Sequence, residues 1–351
     1  MKYAKIVSLM CCFALLVSLL AACSGQAAKI EPRGKAYFEY FDTVSYIYSY
    51  AGDSAELFDQ RCAEVSGILS GYHKLFDIYH EYSGVNNLCT VNKNAGGEAV
   101  PVDPELIEFL LYARELYETT HGEMNVAMGP VLKIWHDHRT QAGEDPAQAS
   151  VPSVDALQNA RQYADISLLE IDAGNNTVRL ADANAALDVG ALGKGYATER
   201  AAEYLRGIGA EAYVLNIGGN IRIIGAKPDG SGWVTGLRDP NSADGGLATR
   251  LVLKDTACVT SGVYERFFTV DGVRYHHIID PDTLFPANYF ASLTIIAQDS
   301  ALADALSTAL FCMPYADGLA MIEAMEGVDA VWIFSDGEIR YSSGLEDCIQ
   351  K

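Results

Sequence analysis

Apolar positions along the chain follow two periodicities. Apolar side chains three to four residues apart, bounded by capping residues, predict helices over 53–76, 103–119, 193–209, 299–312 and 317–325. Runs of aromatic and β-branched residues predict strands over 41–50, 178–189, 212–216, 220–225, 233–237, 249–260, 266–270, 274–279, 292–297, 330–334 and 338–341. Because the strands follow one another without a regular strand–helix–strand alternation, the pattern predicts an α+β fold of mixed, largely antiparallel sheets with flanking helices.

Two polar stretches interrupt this pattern. Residues 86–97 are predicted to form a turn region, and residues 136–152, the most polar internal stretch, are predicted to form a surface loop.

The first residues have the features of an export signal. Lys2 and Lys5 precede an apolar run over 6–20 that is too short for a confident membrane span. The tetrapeptide ending at Cys23 resembles the lipobox of bacterial lipoproteins. This resemblance implies a signal peptide over 1–22, a lipidated Cys23, a tether that ends at 35, and anchoring to the extracytoplasmic face of the cell membrane, for which two acyl chains suffice.

The net charge of the chain limits the classes of ligand that it is expected to bind. The 25 basic and 46 acidic residues give a net charge of −21, and loss of Lys2 and Lys5 with the signal would leave 23 − 46 = −23. Such an acidic surface repels nucleic acid, so no nucleic-acid partner is expected. Any anionic ligand must instead be bound at a local positive site.

The segment 187–196 is the strongest candidate for that site. Gly190, Gly193 and Gly195 allow close approach of a ligand to the backbone, and Lys194 adds a positive charge. The predicted helix that follows offers unpaired N–H groups and the positive end of its dipole to an anion. The segment is not a Walker A loop, since the glycines are two residues too close and Gly195 replaces the Ser or Thr that binds magnesium.

A carboxylate and a hydroxyl on a later helix favour a hard cation. Asp304 and Thr308 are four residues apart, so they leave the helix on one face, as Mg²⁺ ligands do. The alternative is that both are merely polar positions on an apolar helix.

Histidines supply the candidate acid–base groups. His276 and His277 end a predicted strand before an Asp-Pro turn, and either imidazole is able to accept a proton near neutral pH, although histidines beside turns are more often structural. His136, Asp137 and His138 have the composition of a metal cluster but no partner ligands at a suitable spacing.

Taken in order, seven segments resemble the motifs of the ApbE family, the FAD:protein FMN transferases. The resemblance spans nearly the whole chain after the signal and implies a single large catalytic domain over 36–351. The segments are 41–43, 122–135, 187–196, 216–220, 260–262, 277–281 and 303–310.

The resemblance implies an activity. With Mg²⁺ as cofactor and FAD as substrate, FMN is transferred to a Thr or Ser hydroxyl of an exported or membrane-bound redox protein, and AMP leaves. Acceptors in the family carry a motif like D-x-x-[ST]-G-A-[ST], which this chain lacks. Two alternatives are hydrolysis of FAD to FMN and AMP, and a lipoprotein that holds FAD without catalysis.

The resemblance also implies roles for particular residues. The metal ligands are expected to be the Ala191 carbonyl, Asp304 and Thr308, and Asp304 is thereby also a catalytic residue. We expect His277 to be the base that activates the acceptor hydroxyl. The expected FAD contacts are Phe41, Tyr79, Glu123, Met124, Asn125, Asp188, Lys194 and Ile278.

Three positions depart from the family pattern. Asn125 replaces a frequent Asp, Asn220 stands where many members have Glu, and Leu284 stands where a glycine is usual. If that glycine has a positive φ, leucine is strained there and the turn is expected to differ.

Overall fold

The computed structural model describes residues 31–242 and 244–350. The predicted signal peptide over 1–22 and the lipidation site Cys23 lie outside the described residues. Among the described helices, none combines the length and the apolar character needed to cross a membrane.

Strands make up most of the framework. Their bounds are Arg33–Tyr37 (β1), Ser45–Ser49 (β2), Val100–Pro101 (β3), Leu169–Asp172 (β4), Thr177–Leu180 (β5), Tyr213–Ile217 (β6), Asn220–Ile224 (β7), Trp233–Arg238 (β8), Leu247–Leu253 (β9), Ala257–Gly262 (β10), Phe267–Val270 (β11), Val273–His276 (β12), Ser292–Ala297 (β13), Val328–Ile333 (β14) and Ile339–Tyr341 (β15).

Three of the helices begin after a capping side chain. Ser54, Asp103 and Asp299 each accept a hydrogen bond from a backbone N–H in the first turn that follows. The helices are Ala55–Phe76 (α1), Leu88–Lys93 (α2), Pro104–Thr119 (α3), Gly129–Glu144 (α4), Val154–Arg161 (α5), Gly193–Gly207 (α6), Ser300–Ala309 (α7) and Tyr315–Glu323 (α8).

Eight strands form one antiparallel sheet in the order β1-β2-β6-β7-β10-β13-β14-β15. Every residue of β13 is buried, because both faces of the sheet are covered at its centre. Helices α6 and α7 pack on one face, and the β8–β9 hairpin covers the other through a separate apolar cluster that includes Trp233 and Leu251. The predicted α+β fold with antiparallel sheets and flanking helices is confirmed.

The folded part of the chain begins earlier than the sequence indicated. β1 pairs with β2 along its whole length, so Arg33 to Lys35, assigned above to the tether, belong to the main sheet. A five-residue strand with glycine at its second position is too weak a pattern to recognise without its partner.

Two predicted loops are wrong. Helix α4 continues to Glu144, through half of the predicted 136–152 loop, because Val131, Trp135 and Ala142 bury one face while the polar residues point to solvent. The predicted turn region 86–97 contains α2, a helix of six residues, which begins where the Asn87 side chain accepts the Thr90 N–H.

The predicted strand over 178–189 is only partly correct, since β5 ends at Leu180. At Leu187 the side chain of Asn92 makes the hydrogen bonds that a neighbouring strand would make. Its Nδ2 donates to the Leu187 carbonyl at 2.9 Å, and its Oδ1 accepts the Leu187 N–H at 2.7 Å. An extended segment satisfied by one amide side chain gives the same apolar pattern as a paired strand.

Leu284 adopts the conformation expected of the glycine that it replaces. Its φ is 64°, the Leu284 N–H donates to the Asp280 carbonyl at 2.8 Å, and the side chain is 1% exposed. The Leu284 carbonyl accepts a hydrogen bond from Trp135 Nε1 at 2.9 Å. Burial of the side chain in the cluster around Trp135 offsets the strain of leucine at this φ.

We predict that Leu284→Gly lowers the free energy of unfolding by about 1–3 kcal/mol, since the lost burial of a leucine outweighs the roughly 1–2 kcal/mol of relieved strain. Urea unfolding measures this difference. The matched control is His121→Gly, because His121 is exposed and has a φ of 53°. The control should be neutral or stabilising, and a Leu284→Gly variant as stable as the parent would contradict the account.

Candidate active site

Helices α6 and α7 touch at Gly195, and this contact places Asp304. The Gly195 N–H donates to Asp304 Oδ2 at 2.8 Å. A Cβ at position 195 would lie 2.4 Å from both the Asp304 Cβ and the Ser300 carbonyl oxygen, a distance that no side chain tolerates. Glycine is therefore required here for close packing of the two helices rather than for a turn.

A second hydrogen-bonded contact between the same helices lies one turn further along α6. The buried Glu199 carboxylate accepts the Ser300 N–H at 2.8 Å and Arg222 Nε at 2.9 Å, and it also pairs with Arg206. Because Ser300 is the first residue of α7, Glu199 fixes where that helix begins. Sequence analysis missed Glu199 and Arg222, since an acid within an amphipathic helix carries no signal of burial.

Asp304 is a buried carboxylate, 4% exposed. Burial raises its pKa, whereas the Lys194 charge and the Gly195 N–H act to lower it. Thr308, half-buried, lies one helical turn away, and Ala191 lies in the turn before α6. A carboxylate, a hydroxyl and a carbonyl are ligand types that suit Mg²⁺, and a divalent cation would offset the cost of the buried charge, so these residues fit the metal.

The Asn220 departure from the family pattern lies beside this carboxylate. Asn220 is 3% exposed, and its amide acts to lower the Asp304 pKa, although its Nδ2 forms no hydrogen bond. A neutral amide avoids a second buried negative charge next to Asp304.

Two backbone N–H groups of the glycine-rich segment already donate hydrogen bonds within the fold. The Gly193 N–H donates to the Val189 carbonyl at 2.8 Å, and the Gly195 N–H is taken by Asp304. The expectation that the α6 N-terminus offers these amides to an anion is therefore wrong for two of them. Lys194 remains available, and its charge lowers the pKa of His277 as well as that of Asp304.

Positive charge gathers around Asp188. Burial raises the pKa of this carboxyl, while His136, Arg139 and Arg266 act to lower it. Asp188 Oδ1 also accepts the Gly190 N–H at 2.9 Å. Sequence analysis did not select Arg139 and Arg266, because one lies in the segment read as a loop and the other in the turn before β11.

The structure separates the two adjacent histidines. His276 is buried, with Nε2 2.8 Å from the Ala287 carbonyl oxygen and Nδ1 3.3 Å from the Ile278 nitrogen, so both ring nitrogens are used within the fold. His277 is half-buried, and its Nδ1 has no hydrogen-bond partner. Burial, followed by the Arg266 charge, lowers the pKa of His277 to about 3, so its imidazole is neutral.

Several predicted FAD contacts have side chains that are buried or hydrogen-bonded within the fold. Met124 is fully buried and Ile278 is 5% exposed. Asn125 Oδ1 accepts the Ala127 N–H, and its Nδ2 donates to the Ala164 carbonyl, a bond that an Asp could not make. Glu123 is half-buried, and burial, followed by the Asp282 charge, raises its pKa to about 7.

Two aromatic residues complete the predicted set. Tyr79 is 54% exposed, and its hydroxyl lies 3.4 Å from His136 Nδ1. Partial burial and then the Asp188 charge raise the Tyr79 pKa, with a smaller contribution from Asp42. Phe41 precedes Asp42 in the turn between β1 and β2.

Within 31–242 and 244–350, no three His, Cys, Asp or Glu side chains converge as a metal cluster. His136, part of the candidate His136-Asp137-His138 cluster, instead contacts Tyr79 and Arg139.

Related proteins share both sequence and fold with this chain. It is 37% identical over 277 residues to the FAD:protein FMN transferase of Treponema pallidum, covering 75% of each chain. It is 29% identical over 311 residues to a FAD:protein FMN transferase of Klebsiella pneumoniae, covering 86% of this chain and 93% of the relative.

Solved structures agree with these relatives. The ApbE protein of Thermotoga maritima superposes with a TM-score of 0.79 at 28% identity, covering 92% of this chain and all of that one (100%). The flavin transferase ApbE of Vibrio cholerae gives a TM-score of 0.74 at 26% identity, covering 91% and 99%. The model of the ApbE family matches residues 43–332, well over half of the chain, and the protein therefore belongs to the ApbE family.

Proposed function

We propose that this protein is a FAD:protein FMN transferase that modifies a Thr or Ser hydroxyl of another protein and releases AMP. The observation that carries the proposal is the set of charges around His277. In a chain with a net charge of −21, the charges of Lys194, Arg139 and Arg266 all lower the pKa of this one imidazole, whose buried Nδ1 has no hydrogen-bond partner. Concentrated positive charge next to a neutral imidazole suits attack on a phosphate ester.

His277 is the proposed base. Its neutral imidazole takes the proton of the acceptor hydroxyl as that oxygen attacks the phosphorus of the FMN half of FAD. A bond forms between the acceptor oxygen and phosphorus, and the bond to the AMP phosphate breaks. Lys194, Arg139 and Arg266 then face the negative charge that develops on the leaving AMP.

We assign the Mg²⁺ ligands to Asp304, Thr308 and the Ala191 carbonyl, which fit the metal as described above. When bound, the ion supplies charge neutralisation and polarises the pyrophosphate. The residues around the ion hold the site in place. Gly195 and Glu199 hold α7 against α6, and Lys194 lies close to Asp304.

The proposal extends to partners and location. The acceptor is an exported or membrane-bound redox protein with a D-x-x-[ST]-G-A-[ST]-like motif, and the enzyme is anchored through lipidated Cys23 on the extracytoplasmic face. Nine residues, 24–32, separate Cys23 from β1. Such a linker spans at most roughly 30 Å, which keeps the domain close to the membrane surface.

Mass spectrometry tests the transfer directly. The soluble domain is mixed with FAD, Mg²⁺ and an acceptor fragment carrying the motif, and the acceptor should gain one FMN. Asp304→Ala should abolish this gain, while Asp317→Ala, which removes an exposed acid on α8, should leave it unchanged. Free FMN and AMP with an unmodified acceptor would establish hydrolysis instead, and flavin that remains FAD would establish storage.

We predict that His277→Ala lowers the rate of transfer by roughly 10²–10⁴-fold, as loss of a general base does, with FAD binding retained. A second measurement is NMR titration of the FAD-free protein labelled at histidine. Because the folded-state pKa is depressed to about 3, the His277 signal should stay that of neutral imidazole across about pH 5–8. Unchanged transfer by His277→Ala, or titration of His277 near pH 6.5, the ordinary value, would contradict the assignment.

A further inference from the structure

The turn that contains Phe41 has a strained backbone conformation. Phe41 and Asp42 have φ values of 54° and 50°, in the left-handed region that residues other than glycine rarely occupy. Two such residues in succession persist only where neighbouring groups fix them. The groups that do so here lie on α1.

Two side chains of α1 hold this turn, defined as residues 40–43. Tyr40 Oη lies 2.6 Å from Ser66 Oγ. The Phe41 N–H donates to His73 Nδ1 at 3.2 Å, and the Phe41 ring packs edge-on against the His73 ring with centroids 5.6 Å apart. His73 is thus the partner of the residue that bears the strain.

The same histidine connects to the segment that carries Tyr79. Because Nδ1 of His73 accepts a hydrogen bond, the ring proton is on Nε2, which lies 3.5 Å from the Tyr82 hydroxyl. Tyr82 in turn donates to Asp77 Oδ2 at 2.8 Å. Asp77 Oδ1 accepts the Tyr79 N–H at 2.7 Å, so one network from His73 to Asp77 supports both Phe41 and Tyr79.

We propose that His73 is a positioning residue, whose Nδ1 holds Phe41 and which, through Tyr82 and Asp77, aligns Phe41 with Tyr79 for FAD binding. The inference rests on the proposed function, since it takes Phe41 and Tyr79 as contacts of FAD. The hydrogen bonds from the Phe41 N–H to His73 and from the Tyr79 N–H to Asp77 tie both residues to the same network.

Binding of FAD, measured by fluorescence titration with Mg²⁺ present, tests the proposal. His73→Ala should weaken FAD binding about tenfold at neutral pH, the size expected for loss of one supporting hydrogen bond. His73→Asn places an acceptor oxygen where Nδ1 lies, so it should retain the parental affinity. The matched control is His80→Asn, which removes an exposed histidine beside the same Asp77 and should keep the parental affinity.

Thermal unfolding of the variants separates misfolding from misplacement of Phe41, because each variant must remain folded for its FAD affinity to count. Equal FAD affinity in His73→Ala and the parent, or an affinity of His73→Asn as weak as that of His73→Ala, would overturn the inference. Transfer assays on the parent protein distinguish failure of this inference from failure of the proposed function. If the parent transfers FMN and the His73 variants bind FAD normally, only this inference fails, whereas a parent that neither binds FAD nor transfers FMN removes the proposed function itself.

Discussion

The contact between Gly195 and Asp304 is the constraint on which the candidate site depends. Without a side chain at 195, α6 and α7 approach until a backbone N–H reaches a carboxylate across the interface, at 2.8 Å. Glu199 repeats the arrangement one turn later by accepting the N–H of Ser300. Two segments more than a hundred residues apart in sequence thereby become one rigid unit that carries Lys194, Asp304 and Thr308.

Burial sets the electrostatics of this unit. It raises the pKa of Asp304 and of Asp188 and lowers that of His277. A carboxylate that is costly to ionise attracts a cation, and an imidazole kept neutral by burial and nearby cations is free to accept a proton. The free energy of folding thus keeps these charged and titratable groups buried on an otherwise acidic protein.

Sequence predicted the α+β class, most strands, and the caps at Asp103 and Asp299, because these follow from local periodicity and side-chain chemistry. It failed where tertiary contacts decide: Asn92 standing in for a strand at Leu187, the burial of Trp135 that extends α4, and the positive φ of Leu284. Gly195, which follows the predicted Lys194, contacts the predicted Asp304, but Arg139, Arg266 and Glu199 were not predicted, since their importance depends on neighbours that only the fold supplies.

The central claim is that α6 and α7 together form a metal and nucleotide site. It is tested most directly by a crystal structure of the soluble domain with FAD and Mn²⁺, in which anomalous scattering locates the metal. The account predicts a single Mn²⁺ bound by Asp304, Thr308 and the Ala191 carbonyl, with the pyrophosphate of FAD beside Lys194. A metal bound elsewhere, or a pyrophosphate remote from the Gly195–Asp304 contact, would contradict it.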